Sequence, residues 1–535
     1  MRNSSLTLAA AVALSAALLG ASASSDDDGT QPPAGITPTR ATLAFVIGLN
    51  RKAVGKRTPG LAATRTETWT VSTDGLTGTE RFVQSGKDER DDENVGPFHT
   101  ASGTLAGKSW HQNANGEVVV EHDLHRLDTI SSRAIASQDP SALSLLGTVT
   151  VPVDAYVIKV APPGGRLIYL YIDKTSGQII RRDSAIRGRR HIVTYGDFRT
   201  TDGLTEPWHA HSTDGRPEND RDDTLTALSL GAPVDPASLA IPQASTPVAL
   251  ASPRVSIPIK LMDDRIIIPV KIGAHTVDFQ MDSGASVILI NNAVVHALKL
   301  PTYGSSLGDT AGTYPQGRTI VPLLTFGGVT MTNVEMDSAP FTWWTDEHTP
   351  VAGLMGFDFI DGAVVHVDYQ NGTLEAYDPA TFVPPAGATA LPIALDDDVP
   401  MIDAGIAKAI GHLFIVDTGA DRSALFTSFV SAHPSDVVDL GLGDRELEQY
   451  PFVTDFQGVG GTVKYRPLQV GPFTFAGYVF PKWMFTGTHG APSFEGDDFD
   501  GLVGQDVLRN FDVYLDYAHE KIWLVPNDRY KSRWG

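Results

Sequence analysis

The chain has 535 residues, too many for one hydrophobic core, and predicts two to four domains. A net charge of -22 argues against nucleic acid and anionic membrane surfaces as partners. The absence of cysteine excludes disulfides, thiol catalysis and a lipidated N-terminus of the lipoprotein type.

Residues 1–23 read as an export signal. Arg2 supplies the charge, Leu6 to Leu19 the apolar run, and Ala21-Ser22-Ala23 a small-residue cleavage site. That run is short for a membrane span, which needs about 20 residues. With no other run of that length, the expectation is a periplasmic or secreted protein without a stable membrane anchor. Residues 24–39, rich in Ser, Asp and Pro, read as a flexible leader.

Residues 40–240 read as a mainly β accessory domain of short strands and turns. Ala155–Ala161 and Arg166–Ile172 flank Pro162-Pro163-Gly164-Gly165, which marks a turn between two antiparallel strands. A helix is expected near Asp123 to Gln138. A linker with Pro, Ala and Ser spans 241–253. A first repeat then covers 254–378, a Pro-rich connector 379–392, a second repeat 393–526, and a tail 527–535.

The repeats are defined by their motifs. Asp282-Ser283-Gly284-Ala285 ends the apolar run VDFQM, and Asp417-Thr418-Gly419-Ala420 ends LFIV. Downstream lie Gly353-Leu354-Met355-Gly356-Phe357-Asp358 and Gly501-Leu502-Val503-Gly504-Gln505-Asp506. Each repeat closes with a polar hairpin, VVHVDYQNGTLEAY or FDVYLDYAHEKIWLV. The pattern implies an internal duplication that brings two carboxylates together. A buried strand aims each Asp into a cleft. Ser283 and Thr418 offer hydroxyls that can lock the opposite turn, and Gly284 and Gly419 permit close backbone approach. Two facing carboxylates repel and share a proton, so one acts as general base toward water while the other polarises a carbonyl. In isolation either tetrapeptide would be an ordinary turn.

Both repeats resemble the retropepsin-like clan of aspartic proteases. Asp417-Thr418-Gly419-Ala420-Asp421 looks like the retroviral active-site turn, and Gly356-Phe357-Asp358 and Gly504-Gln505-Asp506 like the start of that family's helix. The resemblance implies a mainly β fold: two closed β-barrel lobes related by a pseudo-twofold axis, preceded by a separate antiparallel sheet domain with one or two helices. It further implies Asp282 and Asp417 as the catalytic pair, a peptide or protein substrate, no cofactor, no metal, and a monomer, since one chain holds both lobes. Ala285 and Ala420 stand where pepsin-like enzymes usually place Ser or Thr. Losing those hydroxyls should raise the pair's pKa values and move activity toward neutral.

Substrate-covering flaps are expected between each Asp and its downstream motif. Asp309-Thr310-Ala311-Gly312-Thr313-Tyr314 and Phe456-Gln457-Gly458-Val459-Gly460-Gly461 are the candidates, with Gly312, Tyr314, Gly458 and Gly460 at the tips. Either span reads equally as a surface turn.

Gly107-Lys108-Ser109-Trp110-His111, Asn115-Gly116 and Tyr195-Gly196-Asp197-Phe198 loosely resemble the lipoprotein-carrier fold. That resemblance implies a curved half-barrel with an apolar ligand in its concavity. A carrier or adaptor for lipid, lipoprotein or peptide, with the protease-like lobes as scaffold, is therefore the alternative reading. Gly103 to Ser109 is one residue short of a phosphate-binding loop, and His209 and His211 share a strand face without an evident third metal ligand.

Overall fold

The computed structural model describes residues 32–56, 64–121, 124–151, 153–186, 189–262, 265–310, 312–341, 343, 350–440, 455–488 and 499–534. The export signal at 1–23, residues 24–31 of the leader and flap residue Ala311 lie outside the described residues. The fold is mainly β and separates into two compact units. The first runs to Asn113 and from Val120 to Gln243, and the second comprises Ala114–Val119 and everything from Ala244 onward.

The first unit is built on a sheet of thirteen strands among the described residues. One run of hairpins goes from Thr64–Thr73 through Leu76–Ser85, Asp88–Val95 and Phe98–Leu105 to Lys108–Gln112. The other goes from Leu143–Val149 to Arg221–Leu230, which returns to pair with Thr64–Thr73, Arg65 opposite Leu230. The anticipated hairpin forms between Ala155–Val160 and Ile168–Asp173. The helix expected near Asp123 is Leu124–Ser137.

A further helix, Leu43–Val54, falls where the sequence read as strands. Thr42 caps it through its hydroxyl, which accepts from Phe45 N at 3.2 Å. Val46 and Ala134 join Ile158, Val160, Ile168, Leu170 and Ile172 in an apolar core. Other strands of this sheet bury charge. Arg221 bridges Glu80 at 2.7 Å and Glu93 at 2.6 Å, and Arg65 joins Glu67 and Glu206.

The second unit holds two similar lobes and a sheet that both contribute to. In lobe one Arg265–Ile272 pairs with His275–Met281, which runs parallel to Gly353–Met355. In lobe two Met401–Ile406 pairs with Ala409–Val416, which runs parallel to Gly501–Val503. Short helices follow, Phe357–Asp361 and Gln505–Leu508. The polar hairpins that close the repeats meet in a six-stranded sheet. Val364–Asp368 lies beside Phe511–Asp516, with Val365 opposite Leu515. Arg254–Ile257 and Thr389–Pro392 form its edges.

Val248–Leu250, inside the stretch read as a linker, is a strand on Val329–Met331. The tail coils into a helix, Asp528–Trp534, whose Trp534 packs edge-on against Phe480 at 4.9 Å. One apolar cluster runs through both lobes and the shared sheet, including Phe279, Phe359, Phe414, Phe473 and Leu515. Among the described residues no helix is long and apolar enough to cross a membrane.

Candidate active site

Asp282 and Asp417 each follow the last residue of a buried strand, Met281 or Val416. Each is anchored by its backbone to the downstream Gly-Leu strand: Asp282 N donates to Met355 O at 3.1 Å, and Asp417 N to Val503 O at 2.9 Å. The turns then close in the same way. Phe357 N donates to Ala285 O at 3.0 Å, and Gln505 N to Ala420 O at 2.8 Å.

The two turns are locked to one another. Ser283 N donates to Thr418 Oγ1 at 2.9 Å, and Thr418 N donates to Ser283 Oγ at 2.9 Å. Ser283 Oγ in turn donates to Val416 O at 2.7 Å. Both side chains are fully buried, so these polar groups have no water to replace a lost partner. The glycines explain the close approach. A methyl at Gly284 would stand 2.7 Å from Asp417 Cγ, and one at Gly419 would stand 2.4 Å from Asp282 Cγ. Each carboxylate therefore sits over the opposite turn.

Backbone amides orient the carboxylates. Gly284 N donates to Asp282 Oδ1 at 2.9 Å, and Gly419 N and Ala420 N donate to Asp417 Oδ1 at 2.7 and 3.0 Å. Burial pushes both carboxyls above the usual range. Asp282 is raised further, because the Asp417 charge adds to burial and the two carboxyls share a hydrogen bond. In Asp417 the amides of Gly419 and Ala420 and the bond from Asp282 oppose the effect of burial. Two raised carboxyls so placed favour holding one proton between them. Such a pair can give one proton to a carbonyl oxygen and take another from water.

The flap candidates meet. Thr310 Oγ1 donates to Val459 O at 2.5 Å, and a methyl at Gly460 would stand 2.2 Å from Gly312 O. Gly460 has φ +83°, a left-handed conformation that glycine adopts without strain. Gly458 and Gly461 close the lobe-two hairpin as a register pair. Tyr314, expected at a flap tip, is buried beneath it, packed with Val459, Ala285, Leu289, Phe341, Trp343 and Leu354. Val459 thus joins a buried apolar cluster of lobe one.

Four residues around the site carried no assigned role in the sequence reading. Gln280 Nε2 donates to Gly419 O at 3.0 Å, and Trp343 Nε1 donates to Gln280 Oε1 at 3.2 Å. Gln505 Nε2 donates to Thr418 O. Tyr517 is fully buried and donates to Ser283 O at 3.4 Å. Burial, then the charges of Asp282 and Asp417, push its hydroxyl well up, so it stays protonated as a donor. Its place in the repeated Asp-Tyr step was the one available signal.

Away from this site, Gly103 to Ser109 is a hairpin between Phe98–Leu105 and Lys108–Gln112, as a strand-turn-strand reading requires. His209 and His211 face carboxylates of Asp222 at 3.3 and 3.1 Å. Among the described residues no group of three or more His, Asp or Glu side chains is placed to hold a metal ion.

Comparison with known proteins bears on the same region. Residues 268–359 match the family model described as aspartyl protease. Lobe one is an aspartyl-protease-like domain. The matched stretch contains Asp282 and Asp358 but not Asp417. No curated protein matches the chain. Among solved structures, the aspartic proteinase from Irpex lacteus is 13% identical, covering 51% of this chain and 98% of its own at a TM-score of 0.31. A LolA superfamily protein from Nitrosomonas europaea is 12% identical, covering 38% of this chain and 98% of its own at a TM-score of 0.27. A DUF1329 family protein from Desulfovibrio piger is 13% identical, covering 36% of this chain and 94% of its own at a TM-score of 0.28.

Proposed function

We propose that the chain is an exported aspartic endopeptidase that works as a monomer, with an internal duplication supplying both halves of its catalytic pair. The observation that carries this reading is the placement of Gly284 against the Asp417 carboxyl and of Gly419 against the Asp282 carboxyl. Two buried acids so placed have no structural need of each other, since side by side they cost stability. Retaining both is explained by chemistry that needs a shared proton.

In that chemistry a water lies between the carboxyls and the scissile carbonyl. Asp417 takes a proton from the water as its oxygen attacks the carbonyl carbon. Asp282 gives its proton to the carbonyl oxygen, yielding a neutral gem-diol. Asp417 then protonates the amide nitrogen, the C–N bond breaks, and Asp282 recovers a proton from a gem-diol hydroxyl. Charge never accumulates, which suits a buried site. The apolar cluster that Val459 joins would offer a substrate side chain an apolar surface next to Ala285 and Leu289 if the tip moved aside. The periplasmic or secreted location follows from the reading of residues 1–23.

The test is cleavage of a peptide library by wild type, D282N and D417N. The expected result is cleavage by wild type and a loss of at least about a thousandfold in either variant, the scale of removing an essential acid–base group. Equal cleavage by a variant refutes the reading. Peptide binding without cleavage by wild type favours the carrier or adaptor.

A further inference from the structure

In lobe two the turn after Asp417 is held from behind by its own hydroxyl. Ser423, six residues beyond Asp417, donates through N and Oγ to Asp506 Oδ1, at 2.8 and 2.7 Å. The same Oγ accepts from Gly504 N at 3.0 Å. In lobe one the position six residues beyond Asp282 is Ile288. Its backbone N donates to Asp358 Oδ2 at 2.8 Å, as Ser423 does to Asp506. Its side chain has no hydroxyl to add to that carboxyl, and in lobe two the other oxygen of Asp506 accepts from Trp483 Nε1 at 3.3 Å.

A residue far upstream supplies the second donor to Asp358 instead. Asn115 Nδ2 donates to Asp358 Oδ1 at 2.7 Å and to Glu335 O at 3.1 Å, while Asn115 Oδ1 accepts from Glu335 N at 2.8 Å. The carboxamide thus uses donor and acceptor together. Its segment, Ala114–Val119, belongs to the second unit although its neighbours in sequence belong to the first. Gly116 O accepts from Ser245 N at 2.9 Å, and Val119 is buried in the lobe's core. Gly116 has φ +92°, and a methyl there would stand 2.1 Å from Ser245 Oγ.

We infer that Asn115 is a positioning residue for Asp282: it fixes the Asp358 carboxylate, which fixes the Ile288 amide and so the turn 282–288. A consequence is that the region upstream of lobe one contains a working part of the lobe and is not a pro-segment to be discarded whole. Other charged groups facing Asp358 are Glu335, paired with Arg318 at 2.6 Å, Asp361 and Asp398. Burial pushes the Asp358 carboxyl up to about 7 and the neighbouring acids add to this, while the bonds from Asn115 and Ile288 oppose it.

The kinetic arm of the test rests on the proteolytic reading; the exchange arm does not. Full-length wild type, N115A and N115D are compared for peptide cleavage across pH and for amide hydrogen exchange. N115A is expected to lower kcat at least about tenfold with little change in KM, as a small misplacement of a reacting group does. Exchange should quicken in 282–288 and stay unchanged in 417–423. N115D places a second carboxyl beside Asp358, so its residual activity should rise as pH falls and the introduced carboxyl gains a donor proton, a response that simple loss of packing would not give. Wild-type kcat together with unchanged exchange in N115A overturns the proposal, as does equal loosening of both turns. If D282N cleaves as wild type does, the proteolytic reading fails and exchange alone decides. If N115A does not fold, the pH response and exchange of N115D decide.

Discussion

Ser283 and Thr418 exchange hydrogen bonds across the centre of the second unit, each hydroxyl oxygen accepting the other's amide at 2.9 Å. The exchange ties the two Asp turns together without using either carboxylate. Removing one hydroxyl strands a buried amide. S283A should cost about 1–3 kcal/mol, the usual penalty for an unmet buried polar group. T418V should cost as much, since its extra methyl replaces only the shape of the hydroxyl. Chemical denaturation checks the loss. Cleavage should fall more than stability does, because the turns orient the carboxyls. Stability equal to wild type in both variants would mean the exchange carries no weight.

The glycines permit a sharper test. G419A would put a methyl 2.5 Å from Asp282 Oδ1, and G284A one 2.8 Å from Asp417 Oδ2. Neither glycine needs a left-handed backbone, so the cost falls on the carboxyls rather than on the turn. G419A should lose activity more completely than G284A, its contact being the tighter. Peptide cleavage measured at matched folded fraction decides this. Activity retained in G419A would mean the Asp282 carboxyl stands further from the opposite turn than described.

Much of this site was legible in the sequence because its signals are local. The Asp turns, the Gly-Leu strands and the Asp of each following helix sit at fixed spacings, and the repeat made each reinforce the other. What was not legible depends on long-range pairing. Nothing near Val248 announces Val329–Met331 as its partner. The meeting of Val365 and Leu515 in a shared sheet is set by how the lobes assemble, not by either hairpin. Asn115 looked like part of an ordinary Asn-Gly turn, and its partner Asp358 lies 243 residues away. The helix at Leu43–Val54 was missed although Thr42 supplies a cap, because the stretch adjoins strands rich in Thr.

The pH dependence follows from the raised carboxyls. The proposed mechanism needs one carboxyl ionised and the other protonated, so the acid limb should report the first deprotonation of the pair and the alkaline limb the second. Both pKa values are raised, Asp282 the more. The profile should therefore peak above about pH 4, the ordinary carboxyl value. A maximum below about pH 3 would refute this. The sign for stability is the same: raised acids stabilise fully below their unfolded pKa values, and that contribution is lost as pH rises through the folded ones. D282N should flatten that decline.

The flap contact gives a separate prediction. Val459 packs among Tyr314, Phe341 and Trp343, so on the proposed reading a bound peptide competes with it for that apolar surface. V459D would bury a charge there, and the tip should leave instead. Amide exchange in 303–310 and 455–461 should quicken, and KM should rise because the flap no longer closes over bound peptide. Unchanged exchange would show that Val459 does not hold the tip.

The first unit should show its own titration. Asp91 is buried, carries the charge of Glu93 beside it, and has its carboxyl pushed up to about 8. Glu80 is also raised, first by burial and then by Asp91, so the two share a proton despite Arg221 nearby. A raised acid stabilises the fold fully below its unfolded pKa, near 4, and loses that contribution as pH climbs toward 8. The first unit should therefore weaken between about pH 4 and pH 8 as this proton leaves. D91N keeps the shape without the titration and should remove part of the decline. Thermal melts of wild type and D91N at pH 5 and pH 8 make the comparison. A gap between the two proteins that is the same at both pH values would show that Asp91 is not the titrating group.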